Sequence, residues 1–175
     1  DTLTVEAGSS FTHTGTGASS LTIGGEITTE GTGNVSLAAG TGRIHFTGTE
    51  TRLTGGGTGA ITLNSSADVV HLYLERTLTM AGVGTALTGI EDFHMLDNGA
   101  VSGGACSYTA NGSLIYSVNS LSSLVSSPLE WPAAGGPHDV TIGASGVEFL
   151  YSATTRSVPG TLTLLGALTI PNQLS

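Results

Sequence analysis

The stretch 61–80 reads Ile61-Thr62-Leu63-Asn64-Ser65-Ser66-Ala67-Asp68-Val69-Val70-His71-Leu72-Tyr73-Leu74-Glu75-Arg76-Thr77-Leu78-Thr79-Met80. In it an apolar, a polar and an apolar residue follow one another at Ile61-Thr62-Leu63, at Leu72-Tyr73-Leu74 and at Leu78-Thr79-Met80. Alternation with a period of two is the signature of a strand, with the outer pair facing inward and the middle residue outward. The triplet recurs along the chain. It stands at Leu3-Thr4-Val5, Leu21-Thr22-Ile23, Val35-Ser36-Leu37, Ile44-His45-Phe46 and Phe93-His94-Met95. It returns at Val140-Thr141-Ile142, Val147-Glu148-Phe149, Leu162-Thr163-Leu164 and Leu168-Thr169-Ile170. Clusters of Gly, Ser, Thr and Asn separate the copies.

Helix is disfavoured, because Gly and Thr are poor helix formers and no apolar stripe at three-to-four spacing persists. A sandwich asks for strands of about five or six residues joined by regular hairpins. These strands are shorter and the gaps between them vary. A solenoid tolerates both, since each coil touches only its neighbours and extra residues loop out at a corner. The pattern predicts an all-β chain wound as a parallel β-solenoid, with roughly seven to nine coils of about 20–25 residues. The middle residues of the triplets are Thr, Ser, His, Tyr and Glu in no evident order, which argues against a repeated binding array.

The 175 residues suit one domain, 1–175. Three of the five prolines fall in Pro128–Asp139. Proline cannot donate to a ladder, so a Pro-rich loop insertion is expected at about 128–139. Neither end carries an amphipathic helix or a charged cap. The expectation is a segment of a longer solenoid, or ends that pair with other copies, where heterologous contact would build a filament. No starting Met or signal peptide is visible, so the chain reads as a mature product or an excised segment.

Segments such as Gly40-Thr41-Gly42-Arg43-Ile44-His45-Phe46, Glu130-Trp131-Pro132 followed by Gly136-Pro137 and Val140-Thr141-Ile142, and Gly160-Thr161-Leu162-Thr163-Leu164 carry a resemblance. Most of the chain resembles the β-solenoid repeats of large secreted cell-surface and adhesin proteins of the Bacteroidota type, often exported by a type IX route. The resemblance implies a right-handed β-helix, an extracellular location and no shared catalytic residue. The absence of lysine departs from the Lys- and Asn-rich versions of those repeats.

Net charge is −9, and the four basic residues are all arginines. No basic patch is available to neutralise phosphates, which argues against nucleic acid and against anionic membrane surfaces as partners. No apolar run is long enough to span a bilayer as a helix. The single Cys106 excludes an internal disulfide and reads as a small buried thiol.

Candidate chemistry is sparse. Polysaccharide-cleaving solenoids would need carboxylates flanking one bond. The adjacent pair Glu91-Asp92 should point to opposite faces of a strand. Glu26 and Glu50 are the alternative, stacked across coils. His45 and His94 are triplet middles and should face outward, and His13 sits in Thr12-His13-Thr14. No metal-ligand spacing joins them, so no metal or other cofactor is expected. Asp97-Asn98-Gly99 reads as a turn. Thr-x-Thr recurs, but its copies lie far apart, so ice binding is a minor alternative. Trp131, in the Pro-rich loop, is the candidate ligand or partner contact. Asp1-Thr2-Leu3 matches the acidic–hydroxyl–apolar sequon of Bacteroidota-type O-glycosylation, making Thr2 the candidate modification site. Asn34, Asn64 and Asn111 sit in N-x-S sequons.

The function read from the sequence is a non-catalytic extracellular structural or adhesive protein, with self-association as its main partnership. A glycan-binding module ranks second and a carbohydrate-active enzyme third.

Overall fold

The computed structural model describes residues 2–55, 58–82, 84–96, 99–117, 122–124, 129–149 and 156–169. Among them there are strands and turns but no helix. The chain winds as a parallel β-solenoid with three sides. The first side stacks β1 (Thr2–Val5), β4 (Glu26–Thr29), β7 (Thr51–Thr54), β10 (His71–Leu74), the second half of β12 (Ala86–Met95), the second half of β14 (Ala105–Tyr116), β16 (Asp139–Ile142) and β18 (Leu162–Leu164). The second side stacks β2 (Ser10–Gly15), β5 (Asn34–Ala39), β8 (Ile61–Leu63), β11 (Thr77–Met80) and β13 (Ala100–Ser102). Three later strands, β15 (Ser122–Leu124), β17 (Val147–Phe149) and β19 (Leu168–Thr169), form a sheet of their own. The third side stacks β3 (Leu21–Ile23), β6 (Ile44–Phe46), β9 (Ala67–Asp68) and the first halves of β12 and β14.

Every described triplet lies in a strand, and the outer residues of the triplets in the interior coils build the core. On the first side one inward column runs Leu72, Phe93, Leu114, Val140, each at most 1% exposed. On the second side Val35, Ile61 and Leu78 do the same. Burying each such side chain contributes roughly 1.5–3 kcal/mol. The parallel ladders between coils hold the backbone along the axis.

One turn takes 21 residues from Leu72 to Phe93 and 26 from Leu114 to Val140. About six turns close on all three sides. The expected seven to nine correspond to strand levels on the first side, where eight strands stack, rather than to closed turns.

Two corners show how the chain turns. At Gly55, with φ 117°, a Cβ would stand 1.9 Å from the Thr29 carbonyl oxygen. Arg76 is buried there and ties Gly55 and Gly59 to the next coil: its guanidinium donates to their carbonyls at 3.3 and 2.6 Å. At Gly89, with φ 78°, β12 bends from the third side to the first and its register shifts.

The described part of the Pro-rich stretch, residues 129–138, consists of turns and bends with no strand. Residues 129–138 stay on the third wall. Cys106 N–H donates to Leu129 O at 3.3 Å, Tyr108 N–H to Gly135 O at 3.2 Å, and His138 N–H to Gly112 O at 2.7 Å. The prolines remove donors on the outer edge, while the carbonyls still accept from the level beneath. Pro128 itself lies outside the described residues.

Candidate functional site

The outward columns of the three sides differ in chemistry. On the first side, parallel register sets Arg52 beside Tyr73 and Tyr73 beside His94. The Arg52 guanidinium lies 4.4 Å from the Tyr73 ring centre, and the Tyr73 and His94 rings stack at 4.2 Å, 6° from parallel. Glu50 accepts from Arg52 at 2.7 and 3.1 Å. His71 and Asp92, paired across the next column, meet at 2.9 Å. Half-burial in this stack lowers the affinity of His94 for a proton, with Asp92 and Glu50 pulling the other way.

On the third side the outward column runs Thr22, His45, Asp68, Thr88. Asp68 is the hub. Arg43 Nε donates to both its oxygens at 3.0 and 3.1 Å, Thr88 donates to Oδ1 at 2.7 Å, and His45 Nδ1 stands 3.0 Å from Oδ2. The Arg43 bond, helped by Thr88, holds the Asp68 carboxyl below the ordinary carboxylate range against the opposing effect of burial.

The second side is unlike both. Its central outward column is Thr12, Ser36, Thr62, Thr79, Ser102, one hydroxyl on each of five successive levels. Ser102 Oγ donates to Thr79 Oγ1 at 3.1 Å. The five strands contain no Asp, Glu, Arg or Lys. This overturns the expectation of an outward face without order: strands that share a side are separated along the chain by strands of the other sides.

The remaining candidates fall as follows. His45 and His94 do face outward, on different sides. His13 points into the second wall, where its Nδ1 lies 2.9 Å from Ala38 O. No group of three or more potential metal ligands assembles among the described residues. Glu26 and Glu50 do not pair. Glu26 accepts from Thr54 at 2.7 Å, and Glu50 is taken by Arg52. Glu91 and Asp92 are a correction: the regular alternation of a strand is broken there by a register shift, and both residues border one shallow depression with Thr109, Ala110 and Asn111. Both their N–H groups donate to Val70 O, the mark of a bulge after Gly89. Cys106 is buried, and burial pushes its thiol far above the ordinary range, so it stays protonated.

Trp131 is a second correction. It is 4% exposed, packed into the core with its indole N–H donating to Ser157 O at 3.4 Å, and it presents no ring to a ligand. Its neighbour Glu130, missed in the sequence, is buried as well. Tyr116 donates to its carboxylate at 3.2 Å and Tyr108 to its carbonyl at 2.6 Å. Burial pushes the Glu130 carboxyl above its usual range. Thr2 is exposed at the start of β1, while Asp1, the acidic part of its sequon, lies outside the described residues, as do Asp97 and Asn98. Asn34, Asn64 and Asn111 are all exposed. No described helix is long and apolar enough to cross a membrane.

The Tyr73 ring has Arg52 against it on one level and His94 stacked on it from the next. Searches among protein-family models, curated proteins and solved structures find no match to this chain.

Proposed function

We propose that this chain is a non-catalytic extracellular protein of the structural or adhesive kind, which extends itself by stacking one copy on another. The observation that carries the reading is the chemistry of the two outermost levels of the first side. Leu162 and Leu164 continue the inward columns of Val140 and Ile142, yet they are 42% and 53% exposed. Leu165 beside them is 67% exposed. At the opposite end two shallow grooves flank β1, one lined by Leu3, Val5 and Phe11 together with Thr4, Glu6, Ser9 and Ser10, the other by Leu3 and Ile23 together with Thr2 and Glu26.

Exposed leucines stand at one end and grooves of mixed apolar and polar lining at the other, so the two ends differ. A contact between them is heterologous, and repeated it makes a filament. In the register of the other coils, Leu3 of a second copy continues the column of Leu164 and Thr2 that of Thr163. The non-catalytic part of the reading is supported by the fate of the carboxylates: Asp68, Asp92, Glu50 and Glu26 are each engaged by a neighbouring coil or strand residue. The extracellular part rests on the resemblance to secreted surface repeats. Net charge of −9 without lysine speaks against nucleic acid and anionic membranes as partners.

Sedimentation across a concentration series, with negative-stain imaging, tests the assembly. Stacks or fibres are expected, shortened or lost in Leu164→Asp. A chain that stays monomeric at high concentration overturns the stacking.

A further inference from the structure

From the second side we infer a separate activity: this face binds an ordered lattice of water, the surface of ice. The inference does not depend on end-to-end stacking, since it uses a different part of the molecule.

The central hydroxyl column has neighbours of the same kind. Asn34, Ala60 and Thr77 flank it on one edge and Thr14, Ala38 and Asn64 on the other. Together they make a two-dimensional array. Levels repeat at about 4.8 Å, and outward residues along a strand at about 6.7 Å. None of the strand pairings on this side carries a register shift, whereas β12 on the first side does.

The array is held stiff. Threonine has few χ1 choices. Ser102 is bonded to Thr79, and Asn64 Nδ2 donates to Ser36 Oγ at 3.0 Å. Asn34 is tied at both ends, its Oδ1 accepting from Ala60 N–H at 2.9 Å and its Nδ2 donating to Thr32 O at 2.9 Å. Little side-chain freedom is left to lose on binding.

The partner follows from what the face lacks. Protein interfaces are anchored by aromatic residues, Met and Arg, and none of these points outward here. Sugars stack on aromatic rings, and the outward columns of this side have none. Ionic partners need a charge, and in a chain of net −9 these five strands carry none. What suits a neutral, rigid, periodic face is a neutral, rigid, periodic partner. Hydroxyls both donate to and accept from water, while the Thr and Ala methyls between them favour caged water over bulk water. Each contact is weak, so only a regular array of them binds, and the binding is to a lattice.

The test uses the purified chain. Its freezing-point hysteresis and its incorporation into a slowly grown ice hemisphere are compared with those of serum albumin. Thr62→Tyr and Thr79→Tyr each place a ring in the middle of the array, and Thr141→Tyr places one at an outward position of the first side. Circular dichroism checks that all are folded. The expected result is hysteresis and ice incorporation for the parent and for Thr141→Tyr, with most of both lost in Thr62→Tyr and Thr79→Tyr. A parent chain that behaves like albumin overturns the inference. So do variants at 62 and 79 that retain the parent's activity, or a Thr141→Tyr variant that loses as much as they do.

Discussion

The first and second sides of the solenoid share one interior and differ only in what they show to water. Behind both stand columns of Leu, Ile, Val and Phe with almost no exposure. In front, the first side carries Glu50, Arg52, Tyr73, His94 and Asp92, bonded or stacked from coil to coil. The second side carries Thr12, Ser36, Thr62, Thr79 and Ser102. Long side chains that reach the next coil find partners and become part of the wall. Short hydroxyl side chains, even where bonded from level to level as Ser102 is to Thr79, stay close to the sheet and leave the face open. The difference teaches that an ordered column has two uses in such a fold: it stabilises where its members are long, and it presents a surface where they are short.

The largest effects should not distinguish the sides at all. Phe93→Ala behind the first side and Ile61→Ala behind the second should each cost about 2–5 kcal/mol, read from urea unfolding midpoints. A much smaller loss at one of them would mean that the two sides do not share a core. The outward residues should then separate. Tyr73→Ala removes the partner of both Arg52 and His94 and should cost about 0.5–2 kcal/mol. Thr79→Ala, across the corner, should stay within about 0.5 kcal/mol. Equal losses for the two would erase the distinction.

How far this was legible in the sequence depends on the residue. The triplets were clear because an apolar pair around a polar residue serves any strand with one wet face. They gave the strands, the inward residues and the solenoid. Strands with a buried threonine escaped the pattern, as at Thr29 in β4 and Thr51 in β7, both at most 1% exposed. Column membership was hidden for a different reason. Three sides are interleaved along the chain and the separation of stacked residues drifts from 17 to 26, so Thr62 and Thr79 are neighbours although Tyr73 lies between them in sequence. Trp131 is hard to place from sequence because the proline and glycine around it signal a loop, and a loop leaves open whether the ring faces water or packs inward. Its burial together with Glu130 depends on contacts from Tyr108, Tyr116 and Ser157, which no local pattern announces.

A smaller effect sharpens the same contrast through pH. The folded state lowers the proton affinity of both His94 and Asp68. A group depressed in this way contributes stability that is present above its unfolded value and lost as the pH falls through the folded value. Thermal midpoints should therefore begin to drop below the ordinary histidine range and drop again through the lower carboxylate range. His94→Phe keeps a ring for the stack and should remove the first step. Thr88→Val removes one donor to Asp68 and should move the second step to higher pH, by well under 1 kcal/mol in stability because the pair is partly solvated. Thr79→Ala on the second side should leave the profile unchanged, and any shift there would contradict the separation of the faces.

The central claim is that parallel stacking sorts residues by side, so that neighbours in space skip the strand between them. Paired cysteines test it most directly. Stacked levels bring Cα atoms to about 4.8 Å, within reach of a disulfide. The buried, protonated Cys106 stays out of the reaction. Under mild oxidation the Thr62→Cys/Thr79→Cys chain should cross-link within the monomer, and Thr62→Cys/Tyr73→Cys, closer in sequence but on different sides, should not. Cross-linking in the second pair and not in the first would contradict the account.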